Sequence, residues 1–347
     1  MRIGVVIHGP EVIDSGDIHR LLGYLRDLGE LEVCMGGAMG TIAVIDARLE
    51  GIVETRNERV SQAIRRLDGE VDAIVLLNRC KTRESGMAFG AKLAPRYGKI
   101  STPLVQADDG FVVPWTEGAE SLARTISDGL GMELVTPFLR EPEEDIRVLE
   151  GIRPGENIWV EGKVIGRATS DRVVIRDTPQ GRRFEGMEVK PTGLEKVGHF
   201  DLHGSLIRSG SIRRTSAEPR CVGGEGNEMI LVDHEAEQAY FRSEGARYAV
   251  TVGDDTTRIA GALLYRRGVP IIGLTDGDED GICREQVAME GSAIVLLRPG
   301  TDDLLGAEVR ERIFDGGERK RAEGNLESML SRVLKMGGEW VRRVVRR

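Results

Sequence analysis

The sequence predicts an α/β protein with a Rossmann-like N-terminal domain, a small β-rich middle segment, and a second α/β domain, Rossmann-like or Toprim-like, with a helical tail. Three observations carry this. Residues 1–140 alternate short apolar runs with amphipathic stretches. Residues 152–200 change to short β-type segments around Gly, Asp and Pro turns. From 227 the apolar-run and helix alternation resumes and continues to about 300. At 347 residues the chain is long enough for two or three ordinary cores.

Taken in order, RIGVVIHG reads as a buried strand, and Ser15 is placed to cap a helix over Asp17–Leu28. LEVCM is a second strand that runs into Gly36-Gly37-Ala38-Met39-Gly40-Thr41. TIAVID and GIVET read as short extended segments, Asn57–Leu67 as a helix, Asp72–Leu77 as a strand, and Glu84–Ala94 and Glu117–Gly129 as helices. The charged, proline-bearing stretch FLREPEEDIRVLEG at 138–151 marks a boundary. Residues 201–226 read as a basic linker loop, 227–300 as the second α/β domain and 301–347 as its helical tail. In that tail EWVRRVVRR would put Trp340, Val341, Val344 and Val345 on one face of an arginine-rich helix, which reads first as a helix packed on the core and otherwise suits a protein partner, RNA or an anionic surface.

Composition narrows the function. A net charge of −9 argues against coating nucleic acid, which requires neutralising phosphates, and 4% aromatic residues leaves little for base stacking. Cys34, Cys80, Cys221 and Cys283 form no CxxC pair, as expected of reduced thiols in a cytoplasm. No apolar run approaches the roughly 20 residues needed to span a bilayer. The expected location is cytoplasmic.

The richest stretch is AVTVGDDTTRIAGALLYRRGVPIIGLTDGDEDG, at 249–281. It reads as strand, helix, strand, with acidic turns after both strands. In parallel sheets such ends share one edge, where ligands bind. Gly253 opens a turn whose following helix offers free N–H groups to a phosphate, with Thr256 and Thr257 as added donors. Asp254 or Asp255 could equally cap that helix. Asp276, Asp278 and Asp280 alternate, so an extended backbone puts them on one face, where Mg²⁺ would neutralise them together with Asp254 and Asp255. Arg213 and Arg214, within SLIRSGSIRRTSAEPR, supply guanidiniums suited to phosphate. In the N-terminal half the strand-end candidates are His8 as base or ligand, Gly36, Gly37 and Gly40 as a phosphate-type turn, and Arg79 and Lys81 as anion-binding cations around Cys80. The glycines could instead simply tighten a turn, and His8 could be a hydrogen-bonded structural residue.

Gly253, Asp254 and Thr256, with the strand that follows, resemble the GGDGT turn of the NAD kinase and phosphofructokinase superfamily, although Val252 and Asp255 stand where that motif has glycines. The run DGDEDG resembles the DxDxDG motif of Toprim domains, with Asp254 or Asp255 in place of their glutamate. It also matches the start of an EF-hand loop, but Val287 holds the place of the closing glutamate. The strings HGPEVIDSG, GGAMGTIAVIDA, NRCKTRESG and IRSGSIRRTS, with TVGDDTT and GLTDGD, resemble an uncharacterised protein family of methanogenic archaea. That resemblance implies an archaeal protein and carries over no catalytic residue. The function expected from the residues is binding of a phosphorylated small molecule, a nucleotide above all, with Mg²⁺. The reaction class would be phosphoryl or nucleotidyl transfer, or hydrolysis. The alternatives are a non-catalytic sensor or assembly factor and, behind it, a Toprim-like metal-dependent enzyme acting on nucleic acid.

Overall fold

Strand β1 (Arg2–His8) sends Ile3, Val5 and Ile7 into one apolar cluster and Val6 into another. A strand with a core on each face belongs to a sheet covered on both sides. In the computed structural model this is the centre of the first of two compact units, Met1–Thr215 and Ser216–Arg347. The structure describes residues 1–93, 100–137, 143–211, 213, 215, 217–224, 226–233, 235–277 and 287–347.

After β1 come α1 (Glu11–Asp14), α2 (Asp17–Leu28), β2 (Glu30–Gly36), α3 (Ala38–Asp46), β3 (Glu54–Arg56), α4 (Val60–Leu67), β4 (Ala73–Asn78) and α5 (Arg83–Leu93). Then follow β5 (Leu104–Ala107), β6 (Phe111–Pro114), α6 (Glu120–Leu130) and β7 (Glu133–Leu134). The sheet order is β3-β2-β1-β4-β5-β6-β7. β1 pairs in parallel with both β2 and β4, so the winding reverses between β1 and β4. That reversal is a topological switch point, and it places His8 beside Asn78 at the carboxyl edge. The Rossmann-like expectation holds for this unit.

Two local readings are corrected. TIAVID is not extended but lies in α3, whose residues Ala38 to Ile45 are all buried. Gly37, at φ +80°, turns the chain from β2 into that helix, a conformation glycine adopts without steric cost. Ser15 is not the cap of α2: Gly16 holds that position, and Ser15 Oγ only accepts a long 3.4 Å bond from the Asp17 N–H.

The same unit continues with β8 (Ile146–Glu150), β9 (Asn157–Val160), β10 (Lys163–Ala168), β11 (Arg172–Thr178), β12 (Gly181–Glu185), β13 (Met187–Val189), α7 (Pro191–Val197) and β14 (Ile207–Ser209). These strands form two antiparallel sheets, β13-β10-β9-β14 and β12-β11-β8. They close on a core of their own that includes Ile158, Val160, Ile165, Val173, Ile175 and Phe200.

The second unit contains β15 (Glu228–Asp233), α8 (Ala239–Arg242), β16 (Ala246–Val252), α9 (Asp254–Tyr265), β17 (Ile271–Thr275) and β18 (Ala293–Leu297). It ends with α10 (Asp302–Ile313), β19 (Arg319–Arg321), α11 (Leu326–Gly337) and β20 (Val341–Arg346). β15 to β18 run parallel in sequence order, with β19 and β20 added antiparallel at the two edges. Val250, Val252, Ile272 and Leu274 pack with Leu305, Val309, Met329 and Leu330 of α10 and α11. The opposite face carries α9, which comes so close that a Cβ at Gly273 would lie 2.4 Å from Thr257 Cγ2.

The chain's last segment is the third correction. Residues 341–346 form a strand, with Val344 opposite Val295 and Val345 opposite Ile294, and Val341 and Val344 pack on the core. The arginine-rich helix proposed for partner capture does not exist. Among the described residues no helix is long and apolar enough to cross a membrane.

Candidate functional site

In the second unit the ends of β16, β17 and β18 lie in order along one edge, and each is followed by an aspartate. Gly253, at φ +96°, turns the chain out of β16, and its N–H donates to Leu274 O at 2.9 Å. Asp254 therefore starts α9 directly beside the end of β17. Its Oδ2 accepts the N–H groups of Asp276, at 3.0 Å, and Gly277, at 3.1 Å. Asp276 Oδ2 accepts the Gly300 N–H at 2.5 Å, in the turn that leads from β18 into α10. Asp302, buried at 6% exposure, is the first residue of α10.

One carboxylate oxygen from each of Asp254, Asp276 and Asp302 lies within 4.8 Å of the other two. Like charges at that spacing repel by about 3 kcal/mol per pair at an effective dielectric of about 20. Burial pushes the Asp254 carboxyl above the usual carboxylate range; the two backbone N–H groups pull it down, and the Asp276 charge adds to the rise. Three hard oxygen donors gathered this closely are a group that could hold a divalent cation such as Mg²⁺ or Ca²⁺. Beside them Thr275, at 4% exposure, has a buried Oγ1 without a hydrogen-bond partner among the described residues.

The structure thus brings Asp254 and Asp276 together, as the sequence suggested, and adds Asp302, which the sequence reading missed. Its signal was present: SAIVLLRPGTDD is another apolar strand, a glycine turn and an acidic helix start on the same edge. Asp255 is half-buried on α9 and is not among the three. Asp278 and Asp280 lie outside the described residues. Thr256 is buried beside Gly253, where its Oγ1 lies at the start of α9. Thr257 is corrected: its Oγ1 is 2.8 Å from Thr251 Oγ1, against the sheet and away from the helix start.

The basic candidates are corrected too. Arg213, at 5% exposure, forks onto Asp14, at 2.6 and 2.9 Å, and reaches Asp46 at 3.1 Å, while Thr215 bonds the same Asp14. Burial opposes its charge, and these carboxylates more than restore it, lifting the guanidinium above its ordinary value. These bonds tie Arg213 and Thr215 down inside the first unit. Arg214 lies outside the described residues. Arg79 pairs with Asp17 and Asp109, and Lys81 with Glu156 and Ser209, so both cations are matched internally. Gly36, Gly37 and Gly40 have local structural reasons: a Cβ at Gly36 would sit 1.9 Å from Glu58 O, Gly37 has a positive φ, and a Cβ at Gly40 would sit 2.7 Å from the Met35 side chain. Burial and then Asp108 raise the Cys80 thiol to about 12, which disfavours its thiolate at neutral pH.

A family model described as an uncharacterised protein conserved in archaea (DUF2117) matches residues 5–317. An uncharacterised protein from Methanocaldococcus jannaschii is 34% identical over 328 residues, covering 88% of this chain and 90% of its own length. No solved structure matches the chain. With the family match running from residue 5 to 317, through Asp254, Asp276 and Asp302, the chain belongs to this uncharacterised archaeal family.

Proposed function

We propose that the second unit binds a divalent cation, Mg²⁺ in the first instance, through Asp254, Asp276 and Asp302, and with it a phosphorylated ligand at the start of α9. The observation that carries this reading is the convergence of three carboxylates from three successive strand ends. Each carboxylate is positioned by its own helix start or turn, and two are fixed by backbone N–H groups. Such fixed like charges are costly alone and become favourable around a cation. The first-turn N–H groups of α9 favour a phosphate oxygen next to the ion. A nucleotide is the ligand class that combines both needs.

When bound, the cation would neutralise charge on the phosphate and orient it for phosphoryl or nucleotidyl transfer, or hydrolysis. Thr256 is the hydroxyl best placed at the helix start. The test is thermal unfolding of the full chain with Mg²⁺, with nucleotides and sugar phosphates, and with both. A ligand at 100 times its Kd adds about 2.7 kcal/mol. We expect a Mg²⁺-dependent stabilisation that is lost in Asp276→Asn and in Asp302→Asn. Stabilisation that persists in both variants, or none with any combination, would sink the reading.

A further inference from the structure

The first unit holds a buried polar chain that begins with a group able only to donate. The indole Nε1–H of Trp115 donates to Gln106 Oε1 at 2.9 Å, which fixes the orientation of that amide. Gln106 Nε2 then donates to Asp108 Oδ2 at 2.7 Å and to Gly86 O at 3.1 Å. Asn78 Nδ2 donates to the same Asp108 oxygen at 2.6 Å, while Asp108 Oδ1 accepts the N–H groups of Cys80 and Asp109 at 2.7 and 2.8 Å. The carboxylate accepts four times, so the Asn78 amide must turn its nitrogen to Asp108 and its oxygen to His8. That oxygen lies 2.8 Å from His8 Nδ1. Two acceptors do not bond, so Nδ1 carries the hydrogen and Nε2 is left as a bare lone pair.

The chain is expensive to build. Gln106, Asp108, Asn78 and Trp115 are at 0, 3, 8 and 6% exposure. Helix α5 approaches them only because two of its residues are glycines: a Cβ would sit 2.6 Å from Asp108 Oδ2 at Gly86 and 2.0 Å from Gln106 Oε1 at Gly90. Phe89 stacks on the imidazole at 3.8 Å and fixes its plane. Everything about the ring is specified except a partner for Nε2, which bonds nothing among the described residues and is not a sealed atom. Burial keeps the ring below its ordinary pKa, so it is neutral at pH 7. The switch point is where ligands bind in sheets of this winding.

We propose that this edge is a second ligand site, in which His8 Nε2 accepts the hydroxyl hydrogen of an uncharged polyol or sugar. Nε2 demands a donor from the ligand. The charges acting on the ring are Arg208 against Glu11 and Asp108. Among the described residues, Arg79, Lys81 and Arg213 are held by carboxylates, so these three cations do not invite a bare anion. Asn78 is a positioning residue, acting through the ring.

The test is the ring ¹⁵N spectrum of the full-length protein at neutral pH. The chain has five histidines, and His8 is assigned by its loss in His8→Gln or, should that variant not fold, by substituting the other four in turn. We expect His8 as the Nδ1–H tautomer, with Asn78→Leu moving it to a mixture. Added D-ribose or myo-inositol should shift the Nε2 signal saturably, and inorganic phosphate should leave it in place. A hydrogen on Nε2 in the free protein overturns the proposal. So does an Nε2 signal that neither polyol moves, or one that only phosphate moves. None of these outcomes depends on the carboxylates of the second unit.

Discussion

Both units end parallel strands at a polar edge, yet the two edges are built on opposite electrostatic plans. In the first, donors meet acceptors from Trp115 through Gln106, Asp108 and Asn78 to His8, and Arg213 meets Asp14 and Asp46. In the second, three carboxylates face one another, and backbone N–H groups fix two of them. A matched hydrogen-bond network holds its members rigidly, whereas like charges drawn together favour a cation among them. The difference teaches where to look for a cation and where for an uncharged ligand.

The largest effect should come from removing 341–347. Without β20 the β18 edge is bare and the apolar contacts of Val341 and Val344 are gone, at a cost on the order of 3 kcal/mol, read as a lower unfolding midpoint in urea. The first unit's transition should stay where it was. Gly90→Ala strikes the matched network instead: its Cβ meets Gln106 and the Trp115 ring at 2.0 and 2.3 Å, and overpacking of this kind costs about 1–3 kcal/mol. A neutral result would show that the network has slack.

Acid titration separates the edges by sign. His8 binds its proton less readily folded than unfolded, so its contribution is fully present above the ordinary histidine pKa of about 6.5 and is lost as pH falls from there through the lower folded value. Asp254 has the reverse bias, because its folded pKa is raised. Its contribution to metal-free stability falls as pH rises from 3.8 through the folded value. Asp276→Asn should narrow that window, and Mg²⁺ should reverse the trend above it. Urea midpoints across pH with and without Mg²⁺ check both.

The smallest effect is chemical rather than energetic. With thiols raised to about 11 and about 12, Cys34 and Cys80 should react with iodoacetamide at pH 8 at least tenfold more slowly than exposed Cys221. Peptide mass analysis reads this directly, and rapid labelling of Cys80 would place its thiol outside the network.

Much of this architecture was legible in the sequence. The strands β1, β2, β4, β16 and β17 announce themselves as apolar runs ended by glycine or an acid, and Asp17–Leu28 shows its helical period openly. Two segments misled, for a shared reason. TIAVID and WVRRVV are short and rich in β-branched residues, and over such a length periodicity does not separate strand from helix. The first became a helix because it is buried on every side, the second a strand because β18 had a free edge. At the acidic site Asp254 and Asp276 were legible from their turns, while Asp302 comes from a third strand end that only the sheet order brings alongside. The hydrogen-bonded chain behind His8 was illegible, since Asn78, Gln106 and Asp108 acquire their meaning from a pairing between strands thirty residues apart.

The order of the second sheet also sets a timetable for synthesis. Strand β18 is translated more than forty residues before β20, the strand that covers its edge, with α10, β19 and α11 made in between. During that interval the nascent sheet presents an open edge, while the first unit, complete at residue 215, has had time to fold as it left the ribosome. A chaperone that shields exposed strands would be most needed between the synthesis of β18 and that of β20.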